Sequence, residues 1–157
     1  MRIGEENLKR LLGNFNIKMF HRGTQRNHRG TLSNMEINKI TEKIIGCAIE
    51  VHRYFGPGLL ESAYEECLVF ELKNVGLIVE RQKPVPVIYK GIKLDCGYRI
   101  DILVENAVVI ELKVVDAINP VHEAQILTYM KFANKKVRLL INFNVTVLKN
   151  GIKRFVF

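Results

Sequence analysis

Arg99-Ile-Asp101-Ile-Leu-Val-Glu-Asn-Ala-Val-Val-Ile-Glu111-Leu-Lys113 carries a branched apolar residue at nearly every second position, the period of a β-strand. Ile100, Ile102 and Val104 point to one face of a strand expected over about 98–104. Ile110, Leu112 and Val114 do the same over about 107–115, with Glu105-Asn106 as the join. Four charged residues, Arg99, Asp101, Glu111 and Lys113, break this apolar pair. Glu111 and Lys113, two apart, share the face opposite Leu112, and Asp101 shares a face with Arg99 and Leu103. With a three-residue loop centred on Asn106, Asp101 lies directly opposite Glu111, at roughly 5 Å between their Cβ atoms. A two-residue turn makes the two acids diagonal neighbours instead.

Two acids placed like this repel each other and need a counter-charge. A cation between them, or a shared proton, supplies it. Hard divalent ions such as Mg²⁺ take a couple of carboxylates together with waters and phosphate oxygens. Lys113, on the same face as Glu111, can steer a water or stabilise charge on a phosphate. Read this way, the three residues form a metal-assisted phosphodiesterase site. The plain alternative is an ion pair of Lys113 with Glu111 or Asp101 on a solvated sheet face. The setting speaks for chemistry, because charged residues on otherwise apolar strands are seldom left without a partner.

The 157 residues fit one domain, and 48% hydrophobic with 25% charged residues is the composition of an ordinary globular protein. That excludes general disorder, collagen-like repetition and a disulfide scaffold. No apolar run approaches the ~20 residues that span a bilayer, and the start with Glu5 and Glu6 lacks a signal-peptide core. Cys47, Cys67 and Cys96 are odd in number and widely spaced, which suits reduced thiols in a cytoplasm and fits no zinc site. The net charge of +8 is unevenly spread. Residues 1–34 hold seven Lys/Arg against two Asp/Glu, while residues 35–157 hold 17 against 14. The first segment, polar and glycine-punctuated from His21 to Gly30, reads as a basic, flexible N-terminal tail. Contact with phosphates is its functional reading, a solvated arm its plain one. Residues 35–157 read as the globular domain.

Outward from the central pair, Ile37, Ile40, Ile44, Ala48, Val51 and Phe55 recur at steps of three and four and mark an amphipathic helix, which Gly56-Pro57-Gly58 stops. A second helix carries Leu60, Tyr64, Cys67, Leu68, Leu72 and Val75 as its stripe and is capped by Gly76. Val85, Val87 and Tyr89 return to period two, with Pro84 and Pro86 pushing that strand to an edge and Lys90-Gly91 as a turn. A third helix is expected from Pro120 to Ala133, then a strand over Lys136–Phe143. Lys149-Asn150-Gly151 reads as the turn of a last hairpin, Val145–Leu148 with Ile152–Phe157. The order is α/β: a mixed β-sheet flanked by helices.

Gly58-Leu-Leu-Glu61-Ser-Ala-Tyr64 resembles the signature of the GxxExxY proteins, a family placed in the PD-(D/E)xK nuclease-like superfamily. Ile49-Glu-Val-His52-Arg-Tyr-Phe-Gly56-Pro-Gly58 and Leu140-Ile-Asn-Phe-Asn144 are similar to that family too, and the resemblance runs from about Glu36 to Phe157. It implies a restriction-endonuclease-like core and a nuclease dependent on Mg²⁺ or Mn²⁺. By the same resemblance Asp101 and Glu111 are metal ligands, Lys113 is the catalytic lysine, and Glu61 is a helix-borne acid that joins the metal. Ile100 stands where the superfamily's name has proline.

Gln125-Ile-Leu-Thr-Tyr129 resembles the Gln-x-x-x-Tyr element of RecB-like and phage-exonuclease-like branches. An (i, i+4) pair presents both side chains on one helix face, where they can hold a phosphate or the attacking water. Core packing for Tyr129 and a surface place for Gln125 are the alternative. His52 is a further candidate ligand, since related nucleases sometimes use a helix histidine near the metal; a packed or capping histidine is the plain reading. The four-cysteine iron–sulfur cluster of some RecB-like members has no counterpart within a chain of three cysteines. The implied partner is nucleic acid, DNA ahead of RNA, with no membrane and with a homo-oligomer left open. The rival reading is a nuclease-fold module that binds nucleic acid or a protein partner without turnover.

Overall fold

The structure, a computed structural model, describes residues 18–19, 32–94 and 98–156, without the side chains of 18–19 and 129–132. Helix α1 spans Asn34–Phe55. Ser33 starts it: its hydroxyl accepts from the Glu36 N–H at 3.2 Å, and its own N–H donates to the Glu36 carboxylate at 2.7 Å. This capping box satisfies amides that every helix start leaves open. Helix α2 spans Glu61–Asn74, and α3 spans Pro120–Ala133 behind the cap Asn119. Leu60, Val75 and Phe55, expected in the buried stripes, lie at helix ends and are exposed.

Six strands form the main sheet, in the spatial order β1 (Lys18–Met19), β8 (Ile152–Val156), β7 (Val137–Asn142), β6 (Val108–Lys113), β5 (Arg99–Val104) and β2 (Val79–Pro84). The pairs β6–β7 and β1–β8 are parallel and the others antiparallel. A parallel neighbour needs a crossover, and α3 supplies it between β6 and β7. β3 (Val87–Tyr89) and β4 (Ile92–Leu94) make a separate two-stranded ribbon. On one face of the sheet Ile44, Ala48, Tyr64, Leu68 and Leu72 of α1 and α2 pack with Ile102, Ile110, Leu112, Leu139 and Ile141. On the other, Ile126 of α3 packs with Leu140 and Phe155. Full burial of each such side chain stabilises by roughly 1.5–3 kcal/mol.

The central register is the one a three-residue loop requires: Ile102 pairs with Ile110, Leu103 with Val109 and Val104 with Val108. Glu105 and Asn106 both take positive φ there, and the Ala107 N–H closes the turn onto the Val104 carbonyl at 2.9 Å.

Two expectations are corrected. The edge strand is Val79–Pro84, not Val85–Tyr89. Proline has no N–H for a ladder, so the chain leaves the sheet after Pro84, and Val87–Tyr89 pairs with Ile92–Leu94 across the Lys90-Gly91 turn. The last hairpin does not form either: Leu148–Gly151 is a 3₁₀ turn, and β8 returns against β7. Gly151 is needed there for close approach, since a Cβ on it would stand 2.2 Å from the Asn142 carbonyl oxygen.

Apart from Lys18–Met19 and the residues from Leu32 on, the basic tail expected over 1–34 lies outside the described residues. The domain expected from residue 35 takes its cap from Ser33 and packs Leu32 against its core. Ser33→Ala should therefore cost about 1 kcal/mol of stability. A chain beginning at Met35 should melt below one beginning at Leu32; equal melting in denaturant would show that the box contributes nothing.

Candidate active site

Asp101 sits where the sheet opens. Around it β2 pairs Arg81 with Ile102 and Lys83 with Ile100, passing over the Gln82–Asp101 pair, and the β5–β6 ladder stops at Ile102 and Ile110. Gln82 takes φ +47° and donates its side-chain amide to the Glu65 carboxylate at 2.8 Å. Arg81 Nε donates to the same carboxylate at 2.9 Å, so α2 holds the edge strand at this point. Freed from its ladder, Asp101 accepts the Leu112 N–H on its carboxylate Oδ2 at 2.9 Å.

Glu111, on the neighbouring strand β6, is buried, and each of its oxygens meets a cation. Lys113 Nζ donates to Oε1 at 2.9 Å, and Arg138 Nη2 donates to Oε2 at 2.5 Å. Glu61 is the first residue of α2, and the backbone at Val114, just beyond the end of β6, lies beside its carboxylate. Two strands and one helix end thus bring Glu61, Asp101, Glu111 and Lys113 within electrostatic reach of one another.

Burial pushes the Asp101 carboxyl up to about 7, and the Glu111 charge adds to the rise; the Leu112 N–H and Lys113 oppose it. Burial also raises Glu61, with Lys113 pulling the other way. For Lys113, burial works against the charge, but Glu111, through charge and hydrogen bond, and then Glu61 and Asp101 outweigh it and hold the ammonium above its usual value. The cluster is short of positive charge.

Arg138 is the residue that sequence reasoning missed. It is fully buried on β7, ion-paired with Glu111, and its Nη1 donates to the Ile126 carbonyl of α3 at 3.2 Å. The signal was present in Val137-Arg-Leu-Leu-Ile-Asn142: a guanidinium inside an apolar strand needs a buried acid.

A family model of the PD-(D/E)XK nuclease superfamily matches residues 38–155. The chain belongs to this superfamily. No curated protein and no solved structure matches it. Its mixed sheet between helices is accordingly a restriction-endonuclease-like core.

Within this PD-(D/E)XK domain the Gly58-x-x-Glu61-x-x-Tyr64 run works as a mount for Glu61. Gly58 takes φ +115°, a conformation strained for any side chain. Tyr64, stacked on Phe143 at 4.3 Å, donates its hydroxyl to the Gly56 carbonyl at 2.5 Å and accepts the Leu59 N–H at 3.2 Å. The turn before Glu61 is thereby tied to the core. Asn142 does the same beyond Lys113: its side chain donates to the Val115 carbonyl at 2.7 Å and accepts the Val115 N–H at 3.1 Å.

His52, the further candidate ligand, is buried with Nε2 donating to the Val145 carbonyl at 2.7 Å and its ring 6.3 Å from Phe143. It belongs to packing and is not brought to the acids. Gln125 is exposed on α3 and shows no hydrogen bond to the four charged groups, and the Tyr129 side chain lies outside the described residues. Among the described residues no three His, Cys, Asp or Glu side chains stand close enough to cage a metal unaided. The donor chemistry still fits a hard divalent ion, because Mg²⁺ needs only one or two carboxylates beside its waters.

The raised Asp101 carboxyl has a consequence for stability. Between pH 4 and 7 the unfolded chain ionises this group while the folded chain keeps its proton. Stability of the metal-free protein therefore falls with rising pH, by at most about 1.4 kcal/mol per pH unit, and levels off above 7. Asp101→Asn removes that loss. Its advantage in melting temperature over the parent, measured in chelator, should grow from pH 4 to 7 and then hold; an advantage independent of pH would contradict the assignment.

Proposed function

We propose that the chain is a Mg²⁺- or Mn²⁺-dependent nuclease that hydrolyses phosphodiester bonds in nucleic acid, DNA ahead of RNA. One observation carries this: Glu61, Asp101, Glu111 and Lys113 converge at an opening in the sheet of a PD-(D/E)XK superfamily chain. Asp101 and Glu111 would hold the ion, with Glu61 as a further carboxylate within electrostatic reach of it. A divalent ion held there supplies Lewis-acid stabilisation of charge on the phosphate. Arg138 ion-pairs with Glu111 and fixes its Oε2 in a buried place. Lys113 presents an ammonium beside the reacting phosphate, to orient a water or offset developing charge. Gln125 and Tyr129 on α3 are proposed as contacts to a phosphate or to that water. A cytoplasmic setting completes the proposal. Cys47, whose thiol burial pushes up to about 11, is an inert packed cysteine that suits such a setting. Among the described residues no helix is long and apolar enough to cross a membrane.

A specific observation favours a second reading. Both Glu111 oxygens already meet cations, the arrangement expected of a nuclease-fold module that binds nucleic acid or a protein partner without turnover. Turnover separates the two. With Mg²⁺ or Mn²⁺ and labelled single- and double-stranded DNA and RNA, the parent should cleave. Lys113→Ala should lose about 10²–10³-fold in rate, as expected for removing one transition-state donor, while remaining folded by circular dichroism. Equal rates would remove Lys113 from the mechanism, and a parent that binds without cutting would establish the second reading.

A further inference from the structure

We infer that the ribbon β3–β4 is an arm that enters the major groove of duplex DNA next to the acid cluster. The inference rests on the nuclease reading and adds to it the surface that grips the substrate. The ribbon pairs with no strand of the main sheet among the described residues. Val87, Tyr89, Ile92 and Leu94 share one face and Ile88 and Lys93 the other, following the register Val87↔Leu94, Ile88↔Lys93 and Tyr89↔Ile92. Ile88, Tyr89 and Ile92 are 65%, 58% and 62% exposed. A hairpin this bare is marginal in water and calls for an occupant.

Charge selects which one. Val85–Leu94 carries Lys90 and Lys93 and no acidic residue. Neither lysine has an ion-pair partner among the described residues, and Lys90 lies 5.4 Å above the Tyr89 ring. The nearby cations Arg81 and Lys83 are by contrast already paired, with Glu65 and Glu66 and with Glu80. A second copy seated ribbon on ribbon would bring the lysines of both together with no acid within Val85–Leu94 to offset them. A polyanion meets them instead.

Position and shape complete the case. The ribbon leaves the sheet where the Val85 N–H donates to the Tyr98 carbonyl at 2.9 Å, and Arg99, exposed at its base, is two residues from Asp101. A two-stranded ribbon fits the major groove of B-form DNA, about 12 Å wide. The deep, narrow groove of an RNA duplex does not admit it. Lys90, Lys93 and Arg99 then face phosphates, and Tyr89 and Ile92 meet base edges and thymine methyls.

Anisotropy of a labelled DNA duplex with the full chain in EDTA, over a salt series, tests this. The lysine double variant Lys90→Gln with Lys93→Gln should weaken duplex binding and reduce the slope of log affinity against log salt by about 2. Tyr89→Ser with Ile92→Ser should weaken binding with the slope unchanged. Both should keep the parent's melting temperature and sedimentation coefficient. Unchanged duplex affinity in both variants overturns the arm and leaves the nuclease reading standing. Equal ribbon dependence for an RNA duplex overturns the groove assignment, and a parent dimer that the variants dissociate makes the ribbon a self-contact. A parent that binds no nucleic acid at all overturns the arm and the nuclease reading together.

Discussion

A carboxylate buried beside a second carboxylate is tolerable only with compensation, and Glu111 receives it twice, from Lys113 on its own strand and from Arg138 beneath it on β7. The desolvation cost of such a group is several kcal/mol, and the two ion pairs offset it together. Much of the fold is arranged around that need. β6 and β7 must be parallel neighbours for Arg138 to reach Glu111, and the crossover that makes them so is α3, whose Ile126 carbonyl accepts the other arm of the same guanidinium. The charge balance stops there. Asp101 and Glu61 share what is left of Lys113, which is why burial lifts both carboxyls.

The opening in the sheet is the second element of the design. Ladder hydrogen bonds would otherwise hold Asp101 flat between β2 and β6. Gln82 leaves the ladder on one side, drawn away by Glu65, and on the other the Leu112 N–H is given to the Asp101 side chain instead of to a backbone carbonyl. A carboxylate at such a break faces solvent and a partner strand at once. The Gly58-x-x-Glu61-x-x-Tyr64 run serves the same end from the helical side, since Tyr64 fixes the turn that delivers Glu61, and Asn142 fixes the segment that follows Lys113.

The legible part of this was whatever rests on period and spacing. Alternation over 99–113 and a loop centred on Asn106 were enough to place Asp101 across from Glu111, and the helical stripes of α1 and α2 were plain. What failed has physical reasons. Val79-Glu-Arg-Gln-Lys-Pro84 is an exposed edge strand with one apolar residue, so no alternation marks it. Asn150-Gly151 reads as a hairpin turn, but Gly151 is small because Asn142 presses on it. Arg138 is a long-range partner, 27 positions from Glu111, and no local pattern announces such a pairing.

The central claim is that Asp101 and Glu111 form a divalent-metal site, and direct Mn²⁺ titration followed by electron paramagnetic resonance tests it without needing turnover. The parent should remove the signal of free Mn²⁺ at a saturable site, and Mg²⁺ should compete for it. Asp101→Asn should abolish that uptake while remaining folded by circular dichroism. A parent that takes up no Mn²⁺, alone or with a nucleic acid present, or a variant that binds it as well as the parent, would contradict the account.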